Sequence, residues 1–190
     1  MAARGFELCR IMAVEQEDGA LVAGKLGRAG AVDQETDLRG DVAISPEAGP
    51  VWPMKNWAYY AELKQELEAR GLTVNVLPKR PSLLEHLADV QQHRCLVSGD
   101  SLPMHFALGT GTNCVTLFTC TSPWEIYDYG LQQKLVSPLL SEFFFKRGFD
   151  RRATTTINVE DVLAATLKQL EDGARRTERI LQKETKGTED

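Results

Sequence analysis

No apolar run in this sequence approaches the roughly 20 residues that a membrane-spanning helix takes. The longest apolar cluster, around Phe143-Phe144-Phe145, suits a core or an interface instead. Met1 is followed by neither a basic segment nor an extended apolar stretch, so no secretory signal is expected. Cysteine is scarce: Cys9, Cys95, Cys114 and Cys120 form no C-x-x-C pair, and three of them lie in apolar runs where a reduced thiol acts as a small hydrophobe, which fits a reducing cytoplasm. Positive charge is not in excess either. A net charge of -5 argues against nucleic-acid binding, which needs a clustered basic surface. The densest basic group, Arg175, Arg176 and Arg179, is interleaved with Glu171, Asp172 and Glu178 and reads as a solvated helix face. The G-x-S-x-G elbow, the G-x-x-x-x-G-K-[ST] loop and the H-E-x-x-H helix are all missing. His86 and His93 stand one heptad apart without the Cys or carboxylate spacing that suits zinc, so neither a metal nor a cofactor is expected.

What is present is the composition of a globular protein, 43% hydrophobic and 26% charged, in a chain of 190 residues that can bury one principal core. Residues 1–40 hold two weakly periodic pieces, around Phe6 to Met12 and Leu21 to Leu26, and read as a helical or partly mobile lead-in. From residue 41 strands alternate with helices, the pattern of an α/β fold with a mainly parallel sheet, so residues 41–172 are expected to form a single Rossmann-like domain. Expected strands are Val42 to Ser45, Leu72 to Leu77, Cys95 to Val97, Asn113 to Thr119 and Leu135-Val136. Expected helices run from about Asn56 to Arg70 with Gly71 as stop, from a Ser82-Leu83-Leu84-Glu85 capping box to Gln92, and from the Asp100 segment to Gly109. A closing helix starts at an Asn158 cap and carries Val159, Val162, Leu163, Thr166, Leu167 and Leu170 at helical spacing. Its apolar stripe fades at Gly173, and residues 173–190 read as a charged helix end and tail.

Three segments follow strands and precede expected helices, the position where open α/β sheets bind ligands. In Ser98-Gly99-Asp100-Ser101-Leu102-Pro103-Met104-His105, free amides at the helix start attract an anion, Ser101 adds a hydroxyl, and His105 lies one turn on along the same face. Asp100 is read either as the helix N-cap or as a polar contact to a sugar hydroxyl. His105 is read either as a ligand contact or as an ordinary surface or core histidine. In Pro50-Val51-Trp52-Pro53-Met54-Lys55-Asn56-Trp57, Lys55 is either a point charge for phosphate or a solvated lysine on an aromatic-anchored loop. In Thr119-Cys120-Thr121-Ser122-Pro123-Trp124-Glu125, the hydroxyls can donate to phosphate or sugar oxygens and Glu125 can accept from ribose. The same residues also read as a polar turn with Ser122 capping a short helix and Glu125 completing a capping box.

Together, in this order, the three motifs resemble the carboxyl-terminal half of glycosyltransferase family 9, the lipopolysaccharide heptosyltransferase family, from about Val42 to Leu170. The resemblance implies the donor-binding half of a GT-B enzyme, which is built from two Rossmann-like domains facing a cleft. It also implies a nucleotide-diphosphate sugar as substrate, an ADP-sugar being favoured, and inverting transfer without an obligatory metal. By resemblance Lys55 meets the diphosphate, Asp100 the transferred sugar, and Ser101 and His105 the phosphates, with Thr121, Ser122 and Glu125 completing the donor-binding set. Many family members have glycine where this chain has Leu102, which leaves the sugar open. The acceptor half that contributes the catalytic base is not expected within residues 1–40. The expected partner is therefore a separate acceptor-domain protein or a further copy of the chain, and the expected location is the cytoplasm, at the periphery of the inner membrane. A non-catalytic nucleotide-sugar-binding or assembly module is the alternative.

Overall fold

The computed structural model describes residues 36–186. The lead-in expected over residues 1–40 lies almost entirely outside them. Five strands form one sheet: β1 (Gly40–Ser45), β2 (Val74–Val76), β3 (His93–Gly99), β4 (Asn113–Phe118) and β5 (Gln132–Val136). Their spatial order is β2-β1-β3-β4-β5, and every neighbouring pair is parallel. This is the α/β fold with a parallel sheet that the alternating pattern predicts. The central strands are buried on both faces, which is why they read as continuous apolar runs. The edge strand β5 instead carries Gln132, Gln133 and Lys134, polar residues of the kind that blunt an exposed edge.

Strand alternation divides the core. Val42, Ile44, Cys95, Val97, Val115 and Leu117 meet helix α1 (Tyr60–Glu68) and the long closing helix, whereas Ala43, Leu96, Cys114 and Phe118 meet helices α2 (Leu83–Gln91) and α3 (Leu102–Thr110). Phe118 is fully buried, and its truncation to alanine is expected to cost about 3–5 kcal/mol. Two short helices, α4 (Leu140–Phe143) and α5 (Arg151–Thr155), then lead into α6 (Val159–Lys186).

Several boundaries differ from the sequence pattern for identifiable reasons. The first helix begins at Tyr60 rather than Asn56. The Asn56 carboxamide instead accepts from the Ala48 amide at 2.8 Å, and the Trp57 indole donates to the Ile157 carbonyl at 2.8 Å. Both side chains tie that stretch to distant loops. Helix α3 stops at Gly111, whose φ of 77° needs glycine, and not at Gly109. Helix α6 is capped by Asn158, which accepts from the Asp161 amide at 2.7 Å, and it runs through Gly173 without a break. Glycine suits that position because a Cβ there would collide with the Asn113 carboxamide. Asn113 in turn donates to the Gln169 carbonyl at 2.7 Å, and Arg176 donates to Asn113 and to the Gly130 carbonyl, so this arginine holds the helix to the sheet rather than facing solvent alone. The connection from β4 to β5 contains no helix. The expected cap at Ser122 therefore has nothing to cap. The Lys134 ammonium donates to the carbonyls of Pro123 and Ile126, fixing the loop in an irregular path.

Candidate functional site

In this sheet the chain reverses its direction of growth between β1 and β3, and a crevice at the carboxyl ends of those two strands is the expected ligand position. The 3-10 turn Pro53–Lys55 crosses there. Its approach depends on Gly99 at the end of β3, since a Cβ on that residue would lie 2.8 Å from the Lys55 carbonyl oxygen. Thr119, just beyond β4, pins the same turn by donating its hydroxyl to the Met54 carbonyl at 2.6 Å. Met54 is itself buried with Cys120, Phe143 and Ala153 in a small cluster above the sheet.

So placed, Lys55 Nζ donates to the Asp100 carbonyl at 2.6 Å and to Asp100 Oδ2 at 2.9 Å. The side chains are only 14% and 16% exposed, so the pair is shielded far more than an ordinary surface ion pair. The Lys55 ammonium also stands 5.7 Å from the centroid of Trp52, within cation–π range. Asp100 is therefore not the helix cap. Ser101 occupies the N-cap position of α3, and its hydroxyl donates to the Gly99 carbonyl at 3.3 Å rather than capping an amide. The start of α3 thus carries no side-chain cap, and Pro103 sits in the first turn, where its missing N–H costs no helical bond.

His105, one turn further, is half-buried. Burial lowers its pKa from the ordinary histidine value, the Asp100 charge raises it in opposition, and Lys55 adds to the lowering. The lowering favours the neutral imidazole, whose two nitrogens offer one donor and one acceptor. Cys120 adjoins the same charges. Its thiol is pushed up by burial, with Thr119 and Lys55 opposing. Next to it Thr121 and Ser122 are buried, and the Thr121 hydroxyl has no hydrogen-bond partner among the described residues.

The three motifs do not converge equally. Lys55, Asp100, Ser101 and His105 share one neighbourhood, and Cys120 ties the Thr121–Ser122 end of β4 to it. Glu125 stands exposed on the loop that Lys134 holds. A tryptophan of the Lys55 motif and an arginine outside all three motifs also take part. Trp52 acts as the platform beneath Lys55, and Arg147 places its guanidinium 5.4 Å from the same ring. The sequence signal for Arg147 was the Lys146-Arg147 pair following the aromatic run.

Comparison with known proteins gives a family match and a likeness of fold. Residues 58–142 match the model of glycosyltransferase family 9 (heptosyltransferase), which bears out the resemblance read from the motifs. The fold is similar to that of a family 9 glycosyl transferase from Veillonella parvula, with a TM-score of 0.54 at 16% identity over 73% of this chain and 48% of that one. It is also similar to the E. coli ADP-heptose LPS heptosyltransferase II, with a TM-score of 0.54 at 18% identity over 72% of this chain and 48% of that one. The chain thus covers about half the length of the solved structures it matches. No curated protein sequence matches it.

Proposed function

With the family 9 match over residues 58–142 as premise, we propose that this chain holds the nucleotide-diphosphate sugar of an inverting, metal-independent glycosyltransferase, an ADP-sugar being the favoured donor. The observation that carries this reading is the unspent hydrogen-bonding capacity of the Lys55–Asp100 pair. A lysine ammonium has three protons. Two go to Asp100, leaving the third for a phosphate oxygen, while Asp100 Oδ1 remains to accept from a sugar hydroxyl. The uncapped start of α3 adds amide donors and the positive end of the helix dipole. Ser101, His105, Thr121 and Ser122 complete the donor cradle, and Glu125 on its exposed loop accepts from the ribose hydroxyls.

Transfer forms a bond between the acceptor oxygen and the anomeric carbon, breaks the bond from that carbon to the β-phosphate oxygen, and hands the acceptor proton to a base. Charge develops on the departing nucleoside diphosphate, which is where fixed cationic and amide donors lower the barrier. The base and the acceptor surface come from an acceptor domain outside residues 36–186. The donor unit spans residues 41–172, works at the cytoplasmic periphery of the inner membrane and serves lipopolysaccharide assembly. Calorimetric titration with ADP-, UDP- and GDP-sugars tests the reading. Binding of one of them at or below about 1 mM, weakened by Lys55→Ala and by Asp100→Ala, supports it. No heat with any of the three overturns it. Binding without nucleotide release in the presence of acceptor glycans and partner domains would instead identify a non-catalytic module.

A further inference from the structure

We propose that Arg147 is a second cation of this site, contacting the β-phosphate of the bound donor. The inference rests on the donor-binding reading above and adds a residue that neither the motifs nor the matched region contains. Lys55 and Asp100 largely cancel one another, so the pair brings little net charge to a diphosphate that carries more than one negative charge. The helix dipole supplies only about half an elementary charge. A further cation balances the remaining charge, and among the basic residues nearby Arg152 and Lys134 are already engaged. Arg152 is bound to Asp150 and Glu142, and Lys134 to two carbonyls. Arg147 makes no ion pair among the described residues. Its guanidinium lies 5.4 Å from the centroid of Trp52, the ring over which Lys55 Nζ stands at 5.7 Å.

The segment carrying Arg147 is held against the site by independent contacts. The Phe145 amide donates to the Cys120 carbonyl at 2.8 Å, directly before Thr121, and the Phe145 ring meets Trp52 edge-on at 6.0 Å. Phe145 adopts a φ of 53°, a left-handed conformation that costs a non-glycine residue about 1 kcal/mol or more. The Cys120 and Trp52 contacts hold it there. A guanidinium held within cation–π range of an aromatic ring and in no ion pair among the described residues keeps its N–H fork for a ligand, and that planar fork matches two phosphate oxygens at once. One tryptophan thus gathers two cations of different geometry, the point charge of Lys55 and the fork of Arg147.

The test is calorimetric titration of the intact chain with ADP and separately with AMP, on the unmodified protein, Arg147→Ala and Arg147→Lys. Arg147 is exposed, so neither substitution disturbs the core. The expected result is that Arg147→Ala weakens ADP binding about tenfold while AMP binding changes less than about twofold, with partial recovery of ADP binding in Arg147→Lys. If Arg147→Ala binds ADP as the unmodified protein does, or loses ADP and AMP equally, the proposal is overturned and the donor-binding reading stands. Failure of the unmodified protein to bind either nucleotide overturns both.

Discussion

At the amino ends of the strands, a fully buried Asp89 accepts from Arg80 Nε at 2.6 Å and Nη2 at 3.0 Å, and from the Thr36 hydroxyl at 2.5 Å. Its own carbonyl accepts from His93 Nδ1 at 2.6 Å, and His93 Nε2 then accepts from the Asn75 carboxamide at 3.0 Å. A carbonyl can only accept and a carboxamide nitrogen can only donate, so these two contacts specify the neutral tautomer with the proton on Nδ1. At the carboxyl ends, Lys55 and Asp100 are also mostly buried, yet each retains bonding capacity. His105 feels its charged neighbours, and Thr121 has no hydrogen-bond partner among the described residues. Both ends bury charge next to histidine. The first closes its network with protein groups and so acts as structure, tying residue 36 and the Arg80 loop to the sheet. The second leaves donors and acceptors open at the position where this sheet topology receives ligands.

The largest expected difference between the ends is in stability. Asp89→Ala removes the acceptor from a buried network and is expected to lower unfolding free energy by about 3 kcal/mol, measured by urea melts, while leaving nucleotide affinity of the folded protein intact. Asp100→Asn should do the reverse, costing about 1 kcal/mol or less and weakening sugar-nucleotide binding. If the two substitutions behave alike, the contrast between the ends fails.

A graded effect follows from pH. His86, His93 and His105 all have pKa values lowered from 6.5, chiefly by burial. A lowered value means that the unfolded chain binds protons more readily near pH 6.5, so stability falls as pH drops through that region and levels off below the folded-state values. Comparing melts at about pH 7.5 and about pH 5.5 should show this loss. His93→Gln, which can keep both hydrogen bonds, should reduce the loss without touching nucleotide affinity, whereas His105→Gln should reduce it and weaken binding.

The smallest effect separates two threonines two residues apart. Thr119→Val breaks the bond to the Met54 carbonyl and is expected to cost about 1 kcal/mol. Thr121→Val removes a buried hydroxyl that has no partner among the described residues and should leave stability within about 0.5 kcal/mol, yet it should weaken donor binding several-fold. Paired thermal melts and titrations on the two variants would sharpen the assignment of Thr121 to the cradle.

Features carried by local chemistry were legible in the sequence: the alternation that gives the parallel sheet, the caps at Ser82 and Asn158, the stop at Gly71, and the strand-to-helix turn within the run from Ser98 to His105. What escaped the sequence depends on contacts between distant residues. Ser122-Pro123-Trp124-Glu125 has the spacing of a helix start, but Lys134 in the following strand takes the Pro123 and Ile126 carbonyls and no helix forms. Asp100 was read as a possible cap because nothing local reveals that Lys55, far along the chain, takes its carboxylate. The role of Gly99 is visible only once the Lys55 backbone is seen against it, and Arg147 gains meaning only from Trp52.

The division between a closed amino end and an open carboxyl end is tested most directly by backbone amide NMR of the intact chain during titration with an ADP-sugar. Chemical-shift changes are expected at Lys55, Asp100, Ser101, His105, Thr121, Ser122 and Arg147, with Asn75, Arg80, Asp89 and His93 unmoved. Shifts centred on the Asp89 network, or none anywhere at ligand concentrations of about 1 mM, would contradict the account.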